Sequence, residues 1–323
     1  MRLFLVAAVA AVAAVSALTF DDAIGDFCEG VIDGSDIKID IDCVNGENKH
    51  SGLFQKELPS ILPEACKDKK LQIKLLSIND CDPTGTYPEW SSALTGLTRL
   101  VVQGGELTGD ITNAFKKLSE LNYLVVTGNT LTGIIDDAFN DFSELTKLTV
   151  IGDNLEGSIT NAFTGLSRLR DLRVGGDKLE GDITNAFEGL SQLAHLSLKG
   201  NALTGTIDNA FEGLSQLTYL KVQGNGLTGS VTDAFSELHC LSQLTVSGSK
   251  FTGKLDCPLP FASQNVFEIT IDIVTSGTDF GNVCYPSEDA TNTCATPTTT
   301  TTTTPTPTSA GSAFKFVRRQ PAE

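Results

Sequence analysis

The sequence predicts an α/β solenoid, a coil of stacked and nearly identical turns, and three observations carry that prediction. A 24-residue unit recurs from about Ile73 to about Cys257. Within each unit a short run alternates apolar and polar residues, which reads as a strand with one face in a core. A Thr or Asp then precedes an Asn-Ala-Phe-like segment, which reads as the capped start of a short helical turn. A fixed period of this length marks repeats that bury their apolar face only against their neighbours. The function must therefore lie on a long, regular surface.

One copy runs LAHLSLKGNALTGTIDNAFEGLSQ, from Leu193 to Gln216. Its first leucine recurs at Leu97, Leu121, Leu145, Leu169, Leu217 and Leu241, and its phenylalanine at Phe115, Phe139, Phe163, Phe187, Phe211 and Phe235. Leu193, Leu196, Leu198 and Leu203 are predicted to point inward, with Ile207, Ala210, Phe211 and Leu214. Burying each large side chain contributes about 1.5–3 kcal/mol before chain entropy is subtracted. Gly157, Gly181 and Gly205 stand where the backbone must turn without a side chain. Asn201, matched by Asn129 and Asn225, is expected to be buried and to hydrogen-bond the turn's backbone, building a ladder from repeat to repeat. Asp153 and Asp177 take that place in two repeats and, as acceptors only, should hold their turns less well. Thr112, Asp136, Thr160, Thr184, Asp208 and Thr232 are the expected helix caps. Ile73, Leu76 and Ile78, followed by Gly85, fit the frame of an eighth, atypical repeat at the front.

The segments outside the array set the context. Residues 1–17 carry a basic start at Arg2, an apolar run and small residues before Leu18, as a secretory signal peptide does. No other stretch is apolar for long enough to span a bilayer, so no transmembrane span is expected in the mature chain. The eight cysteines cluster at the two ends: Cys28, Cys43, Cys66 and Cys81 in front, Cys240, Cys257, Cys284 and Cys294 behind. In a secreted chain this grouping predicts disulfides that close the bare faces of the terminal repeats, with three connectivities open for each group. Zinc is the competing use of four cysteines, but the CxxC spacing is absent. The expected divisions are an N-terminal cysteine cap at 18–72, the array at 73–257, a C-terminal cysteine cap at 258–294 and a tail at 295–323. In the caps, Ile37, Ile39 and Ile41 alternate with charges, as do Phe267, Ile269, Ile271 and Ile273, which predicts half-buried strands. The tail opens on a run of Thr and Pro, Thr296 to Thr308, that forms no core and reads as an O-glycosylated stalk. Phe314 to Glu323 lacks the hydrophobic tail of a lipid-anchor signal, so release or wall association is expected. The formal net charge of −17 argues against a nucleic-acid partner.

The repeat consensus resembles the leucine-rich repeat family in its extracellular 24-residue classes. The Leu-Thr-Gly-x-Ile element is similar to the plant-type repeat, with Thr or Asp where Pro usually follows the Ile. The Ala-Phe-x-Gly-Leu-Ser-x-Leu element is similar to the typical class of animal cell-surface proteins. Pro88-Glu89-Trp90-Ser91-Ser92, with the Thr-rich tail, resembles surface antigens of trypanosomatid parasites. The resemblance implies a curved, right-handed superhelix with a parallel sheet on its concave side, where the family binds proteins or glycans. Catalysis within the array is not implied. Whether a second, plant-type sheet forms on the outer flank stays open, because the Pro is missing.

On such a sheet three strand side chains per repeat face away from the core. They are Arg99, Val101 and Gln103; Tyr123, Val125 and Thr127; Lys147, Thr149 and Ile151; Asp171, Arg173 and Gly175. The series continues with His195, Ser197 and Lys199; Tyr219, Lys221 and Gln223; Gln243, Thr245 and Ser247. Five are basic and one, Asp171, is acidic, while acids such as Asp137, Asp141, Glu144, Glu188 and Glu212 lie outside. The partner-binding residues are therefore expected to be Arg99, Tyr123, Lys147, Asp171, Arg173, His195, Lys199, Tyr219 and Lys221. An extracellular protein is the expected partner and an anionic glycan the alternative, held by electrostatic complementarity. Ranks of Thr on the outer flank (Thr108, Thr132, Thr204, Thr228 and Thr252) offer a second reading, an array for ice or a crystalline polysaccharide. His195 and Asp171 fall one strand apart with Ser197 beside them, but no oxyanion element or nucleophile motif accompanies them. No enzyme activity and no cofactor are expected.

Overall fold

The structure is a computed structural model. It describes residues 36–42, 72–79, 85–86, 95–253 (apart from 105–106, 129, 233 and 248–249), 268–272 and 315–316. The described chain is built of strands and turns, and every strand pairing is parallel. The main sheet begins with β1 (Asp36–Asp42) and β2 (Gln72–Asn79), ahead of the regular repeats. A two-residue strand, β3 (Gly85–Thr86), precedes β4 (Arg99–Gln103) and β5 (Leu107–Asp110). The next two turns contribute β6 (Tyr123–Thr127) with β7 (Thr130–Ile134), and β8 (Lys147–Ile151) with β9 (Asn154–Ser158). Three long strands follow, β10 (Asp171–Asp182), β11 (His195–Thr206) and β12 (Tyr219–Ser230). The series closes on β13 (Gln243–Ser247), β14 (Lys250–Thr252), β15 (Glu268–Asp272) and β16 (Lys315–Phe316).

The main sheet has the order β1-β2-β4-β6-β8-β10-β11-β12-β13-β15-β16. Its register keeps the repeat in step, since Arg99, Tyr123, Lys147, Asp171, His195, Tyr219 and Gln243 align as one row. A strict sequence period gives each strand the same partner positions, so one turn templates the next. The cap strands join the sheet itself: β1 lies beside β2, and β15 beside β13.

A second parallel ladder forms on the flank. It runs β3-β5-β7-β9, continues through the distal halves of β10, β11 and β12, and ends on β14. The flank sheet left open by the absence of Pro is therefore present. Gly133, Gly157, Gly181, Gly205 and Gly229 lie in it at φ of +101 to +125°, a backbone region that L side chains rarely adopt. The Leu-Thr-Gly segment can pair there because those positions carry no Cβ.

The interior matches the sequence pattern. Leu193, Leu196, Leu198, Leu203 and Ile207 have no solvent exposure, and Ala210, Phe211 and Leu214 are buried with them. Phe163, Phe187, Phe211 and Phe235 stack in a column with ring centroids 6.0–6.4 Å apart. That spacing lies within the range of favourable aromatic pairs.

Three expectations are corrected. The segments read as short helices are not helical: no helix occurs among the described residues. Each is instead a chain of single turns, such as Ala186 N–H to Ile183 O, Leu190 N–H to Phe187 O and Leu193 N–H to Leu190 O. Positive-φ glycines at 165, 189 and 213 interrupt segments already too short to sustain a helical nucleus.

The supposed caps do different work. Thr112, Thr160 and Thr184 accept the backbone N–H of Ile134, Asp182 and Thr206 in the next turn, at 2.9, 3.0 and 3.2 Å. Asp136 and Asp208 do the same for Ser158 and Ser230. They stitch turn to turn.

The asparagine ladder is the third correction. Asn201, Asp153 and Asp177 are exposed, while the side chains of Asn129 and Asn225 lie outside the described residues. Because β11 runs on through the corner, alternation turns Gly200 inward and Asn201 outward. The glycines at 128, 152, 176, 200 and 224 fill the buried corner column. A Cβ at Gly152 would stand 2.7 Å from Leu131 Cβ, and at Gly200 2.9 Å from Leu179 O. Backbone packs on backbone where a buried amide was expected.

Cys240 is buried and is not a free thiol; its partner lies outside the described residues. So do Cys28, Cys43, Cys66, Cys81, Cys257, Cys284 and Cys294, residues 1–17, and the Thr/Pro run.

Candidate functional site

Alternation in the main sheet presents three parallel rows of side chains on the face opposite the core. The upper row is Arg99, Tyr123, Lys147, Asp171, His195, Tyr219 and Gln243. All nine residues expected to bind a partner stand on this face, in strands β4 to β12, with Lys221 in the middle row and Lys199 in the lower. Adjacent strands lie about 4.8 Å apart, so long side chains reach their neighbours across the sheet.

The upper row is a connected chain of contacts. The Arg99 guanidinium lies 3.6 Å from the centroid of the Tyr123 ring, and Lys147 Nζ lies 5.4 Å from it. Both are within cation–π range. Lys147 Nζ also pairs with Asp171 Oδ2 at 2.9 Å, while Arg173 Nε donates to Asp171 Oδ1 at 2.8 Å. Asp171 is only 15% exposed at its side chain. Burial pushes its carboxyl pKa up, but the hydrogen bonds and charges of Lys147 and Arg173 outweigh that and hold it below the ordinary value. His195 packs beside Tyr219 with ring centroids 6.2 Å apart.

Asp171 and His195 are register partners, yet the carboxylate turns to the two permanent cations. Among the described residues no hydrogen bond joins His195 to Asp171 or Ser197, so the three do not form a relay. Lys199, on the lower row, pairs with Asp177 at 3.3 Å. That contact was not foreseen, because Asp177 was placed in a buried turn. Asp137, Asp141, Glu144, Glu188 and Glu212 are exposed away from this face.

Two other features of the face escaped the sequence pattern. Thr149, in the middle row between Val125 and Arg173, is 6% exposed. Its hydroxyl has no hydrogen-bond partner. A buried polar group left so costs about 1–3 kcal/mol, while Val101 and Val125 fill the same row without that cost. Ile151, on the same strand, is 42% exposed. Beside it Gly175 has no Cβ, and one placed there would meet Ile151 Cγ2 at 3.6 Å.

On the flank, the hydroxyls of Thr132, Thr204, Thr228 and Thr252 donate to the carbonyls of Gly109, Gly181, Gly205 and Gly229 at 3.1–3.4 Å. The donors of this Thr rank are thus engaged with the protein's own backbone. Among the described residues no helix is long and apolar enough to cross a membrane.

The family model for leucine rich repeats matches residues 95–155 and 167–227. No curated protein matches the sequence. Among solved structures, the chain is similar to the ectodomain of the plant membrane receptor kinase GASSHO1/SCHENGEN3 from Arabidopsis thaliana, in complex with CASPARIAN STRIP INTEGRITY FACTOR 2. The TM-score is 0.51 at 22% identity, over 66% of this chain and 26% of that one. This chain spans about a quarter of that ectodomain. Looser likenesses are to an internalin (inlF) from Listeria monocytogenes, with TM-score 0.45 and 13% identity over 66% of this chain and 73% of that one. The Arabidopsis receptor kinase HAESA, in complex with the peptide hormone IDA and the co-receptor SERK1, follows at TM-score 0.45 and 17% identity, over 64% and 39%. The matched repeats, the buried leucine columns and the parallel ladders agree: the described array is a solenoid of leucine-rich repeats.

Proposed function

We propose that this is a secreted leucine-rich repeat protein that recognises an extracellular protein through the solvent face of its main sheet. The observation that carries the reading is charge segregation. Arg99, Lys147, Arg173, Lys199 and Lys221 share one face with Tyr123 and Tyr219 on a chain of net charge −17. Tyr and Arg are the residue types that anchor protein interfaces. The face is partly self-neutralised by Asp171 and Asp177, which fixes side chains in place and lowers the cost of ordering them on binding. The solved receptor-kinase ectodomain similar in fold was determined in complex with CASPARIAN STRIP INTEGRITY FACTOR 2, which is in keeping with a binding role. Secretion rests on residues 1–17, and closure of the array's ends on the two cysteine groups.

The test is capture from the native extracellular medium on the immobilised protein. The Arg173→Glu/Lys199→Glu/Lys221→Glu variant should lose the captured partner, and the wild type should lose it as salt rises past about 0.5 M. Capture unchanged by both perturbations refutes use of this face.

A further inference from the structure

We propose that the occupant of this face is an extended acidic peptide segment, seated on β8 and β10, with one apolar side chain laid on Ile151 and a neighbouring carboxylate drawn to Arg173 and Thr149. The inference rests on the reading above and names the chemistry of its partner. Lys147, Thr149 and Ile151 follow one another on the same face of β8, and Arg173 is the register partner of Thr149. Cation, hydroxyl, aliphatic surface and guanidinium are therefore neighbours within two strands.

Lys147 is engaged by Asp171 and Tyr123, but the other three have capacity that the fold leaves unused. Arg173 gives Nε to Asp171, which leaves its two terminal nitrogens as an end-on fork, a geometry suited to a carboxylate. Thr149 has a buried hydroxyl without a partner. Such a group in a native fold calls for an explanation, and an incoming acceptor supplies one. Ile151 is one of two large hydrophobic side chains exposed among the described residues, and the other, Ile134, lies in the flank ladder. Absence of a side chain at Gly175 leaves the flank of Ile151 uncovered on the β10 side. In an extended peptide, residues two apart sit about 6.6–7 Å from one another on one face. Arg173 and Gly175 have that same separation along β10, so an acid-x-apolar pattern spans the site.

The experiment uses the whole protein and three labelled nine-residue peptides. The first has Glu at alternate positions and a central Leu; the second replaces Leu with Ser; the third replaces every Glu with Lys. Fluorescence anisotropy should show the first binding about tenfold more tightly than the second, with the third not bound. Ile151→Thr, a strand-compatible change at an exposed site, should erase the Leu-over-Ser preference, and Ile151→Leu should keep it. Thr149→Val should raise the urea midpoint while weakening the Glu-Leu peptide about fivefold, the value of one hydrogen bond. A merely structural threonine would leave the affinity unmoved. Equal affinity for the Leu and Ser peptides, a preference that survives Ile151→Thr, or binding of heparin with no binding of any peptide would each overturn the proposal. If Ile151→Thr captures the native partner as wild type does while the triple Glu variant fails, the binding face stands and this peptide site falls.

Discussion

Gly175 and Gly176 are adjacent in β10, and their replacement by Ala should move stability in opposite directions. At Gly175 an added Cβ meets Ile151 Cγ2 at 3.6 Å, Ile151 Cγ1 at 3.8 Å and Lys199 Cβ at 4.0 Å, all ordinary contacts. Gly in a strand costs about 0.5–1 kcal/mol in chain entropy relative to Ala. Gly175→Ala should therefore stabilise by about that amount. At Gly176 the same atom would stand 2.9 Å from both Leu155 Cβ and Leu155 O, and 3.0 Å from Gly152 O. Carbon atoms prefer about 3.5–4.0 Å, and two of these neighbours are backbone that no rotamer change can move. Overpacking of this kind costs about 1–3 kcal/mol, more than the entropy gain returns. The entropy gain is common to both variants, so they should differ by the overpacking cost, about 1–3 kcal/mol. Urea unfolding followed by circular dichroism reads this as a raised midpoint for Gly175→Ala and a lowered one for Gly176→Ala, with unchanged slope. Midpoints shifted the same way would show that the inward glycine column is not where successive turns meet.

Three further outcomes follow from the same geometry. Phe187→Ala removes a ring that is 1% exposed and stacked between Phe163 and Phe211, and should cost about 3–5 kcal/mol in the urea titration. Thr184→Val removes the acceptor for the Thr206 N–H at 3.2 Å. It should cost about 0.5–1.5 kcal/mol and speed hydrogen exchange at the Thr206 amide while leaving distant turns unchanged. Asp171 has a lowered pKa in the folded chain, so the folded state binds fewer protons there than the unfolded one. Its stabilising effect is complete above the unfolded value of about 3.9 and fades as pH falls through the folded value. The stability gap between wild type and Asp171→Asn should be largest near neutrality and close in acid; a gap that widens in acid refutes the assigned ion pairs.

The core was legible because it is periodic. Leu193, Leu196, Leu198 and Leu203 repeat at fixed offsets, and a residue inward in one turn must be inward in all. The flank ladder was less legible, since its pairing segments are only two or three residues long, as in Gly85–Thr86 against Leu107–Thr108 and Lys178–Glu180 against Glu156–Ser158. A Leu-Thr-Gly run of that length reads as easily as a turn. The corner misled for a definite reason. Gly200 and Asn201 stand side by side, and hydrogen-bonding capacity favoured burying Asn201. Strand alternation decides otherwise, because inward Leu198 fixes inward Gly200 and leaves Asn201 outside.

The proposed binding face divides the same way. Which side chains point outward follows from parity alone, and all nine named residues are found there. Which of them touch does not, because Asp171 has Lys147 on one side and His195 on the other in the same register. The competition is settled by geometry. Lys147 Nζ reaches Asp171 Oδ2 at 2.9 Å and Arg173 Nε reaches Oδ1 at 2.8 Å, so the two cations engage both oxygens of the half-buried carboxylate. Once it has turned that way, Arg99, Tyr123, Lys147, Asp171 and Arg173 hold one another in a continuous run of contacts. A partner at the proposed face would therefore meet side chains already ordered, and part of the entropy that binding would cost has been lost on folding.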